Sequence, residues 1–127
     1  MIERITPPGV STPRGPYSPA VRAGDFLFIA GQGPIDPETN KMSYGDIKHE
    51  TRLVLSNIER ILEGCGAGMA DVVKCSVFLS SGKDFAAMNE VYAEFFGDNK
   101  PARTTVEAQF ASPPMKVEID CIAYKPK

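Results

Sequence analysis

The sequence predicts an α+β domain: one mixed sheet with two helices packed on the same face. Three observations carry this. Residues 26–30 and 72–79 are apolar runs rich in β-branched and aromatic side chains, the mark of strands that face a core. Only two segments, beginning at residues 47 and 85, place apolar residues at helical spacing. The elements follow in the order β-β-β-α-β-α-β-β, and two helices for about six strands suit a single sheet covered on one side. No internal repeat or long linker divides the 127 residues, so residues 1–127 read as one domain.

Residues 2–6 form a short strand, stopped by Pro7-Pro8-Gly9. Residues 7–16 are rich in Pro, Gly, Ser and Thr and form a loop. Gly24-Asp25 turns a hairpin between residues 21–23 and 26–31. The nearly continuous apolarity of residues 26–30 predicts a strand covered on both faces. Residues 34–40 are a turn cluster. Asp46 is the expected N-cap of the first helix, with Ile47, Val54, Ile58, Ile61 and Leu62 on its apolar face and Gly64 ending it. After the strand at 72–79, Asp84 is expected to cap a second helix whose apolar face is Phe85, Met88, Tyr92 and Phe95. Gly97 ends that helix. Two strands at about 103–109 and 116–124 close the chain. With both helices on one face, the other face of the sheet is left apolar, and a partner chain is expected to cover it.

Hydrophobic residues make up 43% and charged residues 24%, a composition that supports a packed core. The formal charge of −2 argues against a dedicated nucleic-acid binder. Cys65, Cys75 and Cys121 are odd in number and lack C-x-x-C spacing, so no disulfide framework is expected, and a reducing compartment fits. His49 is the single histidine, which leaves no His/Cys metal site to assemble. Residues 1–8 lack the apolar core of a secretory signal, and no run reaches the roughly 20 apolar residues of a membrane span. A cytoplasmic protein is expected.

Arg103 begins a strand, and by alternation it shares a face with Thr105, Glu107 and Gln109. A guanidinium beside a hydroxyl is a good receptor for a carboxylate, although a lone strand arginine is more often half of a surface ion pair. Glu118 alternates with Val117, Ile119 and Cys121, on the same face as Asp120, and could hold a water as general base. Tyr17 lies in a stiff Pro-bounded loop that suits either a pocket wall or a core anchor. Asn89 lies next to the apolar face of the second helix, placed to hydrogen-bond a nearby loop. Gly64-Cys65-Gly66-Ala67-Gly68 looks like a phosphate loop but follows a helix and precedes a strand. That order makes it a helix C-cap and turn. Cys75 and Cys121 read as small core residues without an activating base.

Taken in order, several blocks match a known pattern. They are Gly15-Pro16-Tyr17-Ser18-Pro19-Ala20, Phe28-Ile29-Ala30-Gly31-Gln32, Asp36-Pro37, Val72-Val73-Lys74, Asn89-Glu90-Val91-Tyr92, Pro101-Ala102-Arg103-Thr104-Thr105-Val106 and Val117-Glu118-Ile119. With these blocks the chain resembles the Rid (YjgF) family of small imine deaminases, also called L-PSP endoribonucleases. The resemblance implies a chorismate-mutase-like fold and a homotrimer packed around a central barrel, with clefts between subunits. It implies hydrolysis of reactive 2-imino and enamine acids, such as 2-aminoacrylate and 2-aminocrotonate, to 2-oxo acids and ammonia, with no metal or organic cofactor.

Carried over position by position, the resemblance gives Arg103 the substrate carboxylate and Glu118 the attacking water. Tyr17 and Asn89 would shape the cleft, Tyr17 from across the subunit interface. Gly31 would let the backbone approach the ligand. Two positions depart from the imine-hydrolysing branch, which usually has Ser at Ala30 and Cys at Thr105. They bear on substrate preference and rate more than on reaction class. The alternatives are the family's L-PSP-type endoribonuclease or translation-inhibitor activity, and a non-catalytic binding protein for 2-oxo acids.

Overall fold

A computed structural model describes residues 1–127. The strands are β1 (Ile2–Ile5), β2 (Ala20–Ala23), β3 (Phe26–Gln32), β4 (Ile35–Asp36), β5 (Lys41–Met42), β6 (Val72–Leu79), β7 (Ala102–Glu107) and β8 (Val117–Tyr124), and the helices are α1 (Ile47–Gly64) and α2 (Phe85–Phe96). Six strands form one sheet in the order β1-β2-β3-β8-β6-β7, and β4 and β5 pair as a separate two-residue ribbon. Only β6 and β7 run parallel, joined across α2, and β7 lies at the sheet edge.

Alternation decides what each face holds. Val117, Ile119, Cys121 and Ala123 of β8 are buried with Leu27 and Ile29 of β3 and Cys75, Val77 and Leu79 of β6. Against them pack Val54, Leu55, Ile58, Ile61 and Leu62 of α1 and Met88, Val91, Tyr92 and Phe96 of α2, so one core lies between the sheet and both helices. Burying each such side chain stabilises the fold by roughly 1.5–3 kcal/mol before the entropy of ordering is counted.

The opposite face is open in the single chain. Phe26 and Phe28 are 42% and 43% exposed there, with Tyr124 beside Phe26 and Val106 farther along the same face on the edge strand. Within one chain strand β3 is covered on one face only, and the second cover that its apolar run predicts is left to a partner chain. The Phe26 and Tyr124 rings meet edge-on at 5.2 Å, a small apolar platform in solvent.

Local chemistry explains the boundaries. Asp46 caps α1, its Oδ1 accepting from His49 N at 2.8 Å. Gly64 is the last helical residue rather than the stop. Chain reversal falls at Gly66 (φ 82°), where the missing Cβ removes the steric cost of a positive φ. Asp84 stands before α2 but makes no capping hydrogen bond; the chain enters through a 3₁₀ turn in which Ser81 Oγ accepts from Lys83 N. The buried stripe of α2 is Met88, Val91, Tyr92 and Phe96, rotated from the expected one. Phe85, in the first turn, is largely exposed, and Phe95 only flanks the core. Within the predicted turn cluster 34–40, Ile35–Asp36 pairs with Lys41–Met42, and Asn40 adopts φ 58° at the reversal.

Candidate functional site

Glu118 stands on the open face because its neighbours in β8 are drawn into the core. Strand β3 passes beside it with one residue too many. Ile29 faces Cys121 and Gln32 faces Ile119, so Ala30 and Gly31 form a β-bulge. The bulge brings the Gly31 backbone against the carboxylate, and a Cβ at Gly31 would lie 2.6 Å from Glu118 Oε2. The glycine thus makes room for Glu118 itself, at the position where the resemblance implies close approach of a ligand. Ala30 anchors the bulge: its amide donates to Pro19 O at 3.0 Å and its carbonyl accepts from Gln32 Nε2 at 3.0 Å.

The Ala30–Pro19 bond fixes the loop that carries Tyr17. Tyr17 Oη accepts from Arg14 N at 3.2 Å, Arg14 Nη2 donates to Asn40 O at 2.6 Å, and Thr12 N donates to Asn40 Oδ1 at 3.0 Å. The left-handed Asn40 thereby ties the loop to the β4–β5 ribbon. Between loop, bulge and ribbon lies a cleft of about 360 Å³, walled by Tyr17, Gly31, Ile35, Met42, Met115 and Glu118, with Arg14 also lining it. Desolvation raises the Glu118 pKa above its ordinary value, and the like charge of Asp120 on the same face adds to the rise.

Arg103 occupies a different place. In register it lies beside Cys75, which lies beside Cys121, so all three point to the helix side. Its Nη1 donates to Asn89 Oδ1 at 2.8 Å, and its guanidinium carbon lies 4.8 Å from the Tyr92 ring centre and 5.6 Å from that of Phe85. Asn89 therefore reaches a strand arginine, not the loop its sequence position suggested. No carboxylate comes within ion-pair distance of Arg103, and its other N–H groups have no protein partner. A cavity of about 320 Å³ opens beside it, bounded by Tyr92, Phe96, Gly97, Lys100 and Pro101. On the same strand face, Thr105 Oγ1 is buried without a hydrogen-bond partner. Tyr92 Oη is also unpartnered, lying beside the Cys75 thiol outside hydrogen-bond geometry, and burial raises the pKa of both groups.

The structure thus brings the site residues into two groups. Tyr17, Ala30, Gly31 and Glu118 surround the cleft on the open side; Asn89, Arg103 and Thr105 lie on the helix side. Phe78, paired with both Val106 and Glu118, fixes Glu118 on the face opposite Arg103. A single chain does not unite the arginine with the glutamate. Its cysteines do not enter either group: Cys75 and Cys121 are core residues with thiol pKa values raised by burial. His49 is engaged by Ser43 through Nε2, 3.0 Å from Oγ and 3.1 Å from O. No group of three or more His, Cys, Asp or Glu residues comes together as a metal site, and no helix is long and apolar enough to cross a membrane.

Two supporting residues escaped the sequence reading. Asn40 is one. The other is Glu50, fully buried, whose Oε1 accepts from Lys116 N at 2.8 Å and Oε2 from Gly45 N at 3.1 Å, with Lys116 Nζ at 3.6 Å. It ties α1 to the chain entering β8, two residues before Glu118. The signal was present: position 50 falls on the same α1 stripe as Ile47, Val54 and Ile58.

Comparison with known proteins agrees with this architecture. The family model described as Endoribonuclease L-PSP matches residues 9–125. A RutC family protein from Pyrococcus horikoshii is 53% identical over 125 residues, covering 98% of this chain and 99% of that one. Among solved structures, RidA from an Antarctic Psychrobacter superposes with a TM-score of 0.90 at 35% identity, over 96% of this chain and 98% of that one. E. coli TdcF with bound serine superposes with a TM-score of 0.89 at 32% identity, over 97% of this chain and 98% of that one.

Proposed function

The chain belongs to the endoribonuclease L-PSP family, whose structures include Rid and YjgF proteins, and from that premise we propose that it hydrolyses small 2-imino acids to 2-oxo acids and ammonia. The observation that carries the reading is Arg103. Its charge is not neutralised: a neutral amide and two aromatic rings hold the guanidinium, leaving N–H donors for a ligand carboxylate. That a relative's structure holds serine, a small molecule with a carboxylate and an amine, supports the same class of ligand.

Glu118 supplies the second half of the chemistry. The working site requires it from a second copy, because within one chain the two residues lie on opposite faces. Phe26, Phe28, Val106 and Tyr124 give that copy an apolar face to cover. As an edge strand, β7 can be reached on both faces by a neighbour that wraps the edge. A homotrimer with clefts between subunits meets this requirement.

The substrate is a protonated imine, already electrophilic at carbon. Arg103 holds its carboxylate, and Glu118 of the neighbouring copy takes a proton as water adds to the imine carbon. The C–O bond forms and the C=N π electrons settle on nitrogen, giving a neutral amine. Glu118 returns its proton to that nitrogen, the C–N bond breaks, and ammonia departs. The hydroxyl proton leaves with it, so iminium plus water becomes 2-oxo acid plus ammonium. Nothing in these steps calls on a metal or an organic cofactor. RNA cleavage finds less support, since the only histidine is engaged by Ser43 and lines neither cavity.

The test is to generate 2-aminoacrylate in situ and follow ammonia and oxo-acid release. Wild type is expected to accelerate release over buffer. Arg103→Ala is expected to lower kcat/KM about 100-fold, the value of a charge-assisted bidentate contact. Full activity in Arg103→Ala contradicts the reading, as does RNA cleavage without imine turnover.

A further inference from the structure

The Glu118 cleft contains a cation that the proposed reaction does not use. Arg14 lines the cleft with Glu118, and no carboxylate lies within ion-pair distance of its guanidinium. Its one side-chain hydrogen bond, from Nη2 to Asn40 O, is to a neutral carbonyl. That bond orients the group without neutralising it, and its remaining donors are free of protein partners. The carbonyl that holds this group belongs to Asn40, whose position is set by the β4–β5 reversal.

The rest of the cleft has a complementary shape. Ile35, Met42 and Met115 give it an apolar wall between Glu118 and the loop. At about 360 Å³ it lies in the range of sites for ligands well beyond the six heavy atoms of a three-carbon imino acid. A substrate presented to Glu118 has this cleft open beside it for its side chain. Methylenes suit the wall, and an anion at the end of them suits Arg14.

Building on the imine-hydrolase reading, we infer that the preferred substrates are 2-imino dicarboxylic acids, with Arg14 binding the distal carboxylate. A guanidinium and a carboxylate form the stronger, paired kind of hydrogen bond, and such a contact discriminates against a substrate that lacks the second anion.

The experiment has two arms on the intact protein. Calorimetry compares pyruvate with 2-oxoglutarate, the monocarboxylate and dicarboxylate product forms. Kinetics compares imines generated in situ from alanine and from glutamate by an amino-acid oxidase or dehydrogenase. The dicarboxylate is expected to be favoured at least tenfold in both arms. Arg14→Ala should erase the preference, and Arg14→Lys should retain part of it. Equal affinity for the two acids, or a preference that survives Arg14→Ala, overturns the inference. If neither imine is hydrolysed but 2-oxoglutarate still binds through Arg14, the reaction assignment fails and the dicarboxylate specificity stands.

Discussion

Glu118, the proposed general base, carries a cost to the fold. Its carboxyl lies on a half-buried sheet face against Gly31, where desolvation first and Asp120 second favour the protonated form. A carboxyl whose folded pKa is raised stabilises the fold below its unfolded pKa, and that contribution is lost as pH rises through the folded pKa. At neutral pH the ionised Glu118 is therefore a liability to stability. Two outcomes follow for Glu118→Gln. Activity should fall by about 10²- to 10⁴-fold, the usual contribution of a general base, while thermal unfolding at pH 7 shows no loss of stability. In wild type, kcat/KM should rise with pH through an acid limb that lies above 4.5, the ordinary glutamate value, and the limb should vanish in the variant. A large drop in melting temperature for Glu118→Gln would instead make it a structural residue.

How much of the site could be read from sequence depends on the residue. Glu118 was legible because alternation with Val117, Ile119 and Cys121 forces it outward. Arg103 was legible as a candidate but not as a half-site: Thr104, Thr105 and Val106 are compatible with either face, so nothing local said which side the core would take. The ring stack and the Asn89 bond that settle it are long-range contacts.

At the scale of elements, one carboxylate positions the strand that carries the site. Glu50 accepts two backbone N–H bonds, from Gly45 before α1 and Lys116 before β8. Removing it leaves two part-buried donors without their protein partner. Glu50→Ala should cost roughly 3 kcal/mol, read as a shifted denaturation midpoint, with Glu50→Gln costing less because its carbonyl keeps one bond. Equal stability of all three proteins would show the network to be idle. The elements themselves were mostly legible. Strand 72–79 and the end of α2 at Gly97 fall where the pattern put them. The face of α2 did not, because Phe85 lies in the first turn, beyond the edge of the core, and Val91 and Phe96 complete the stripe. The β4–β5 ribbon was hidden inside turn-forming residues, and the bulge at Ala30–Gly31 has no signature beyond one glycine in a strand.

At the scale of the molecule, the two half-sites and the open apolar face are one fact. A sheet with helices on one side leaves Phe26, Phe28, Val106 and Tyr124 in solvent, and the same sheet keeps Arg103 and Glu118 apart. The proposed assembly would resolve both. Light scattering should give three times the 13.8 kDa chain mass. Phe28→Asp, which places a charge on the apolar face, should shift it toward monomer and abolish imine turnover while far-UV circular dichroism is retained. A monomeric wild type at micromolar concentration contradicts this assembly.

The central claim is that Arg103 of one copy works with Glu118 of another, and complementation tests it most directly. Arg103→Ala and Glu118→Gln are each purified, denatured, mixed in equal amounts and refolded together, then assayed for 2-aminoacrylate hydrolysis. Random assembly places an intact arginine against an intact glutamate at about a quarter of the interfaces. The mixture should regain about that fraction of wild-type activity, although each variant refolded alone has almost none. A mixture as inactive as its two components would contradict a site shared between copies.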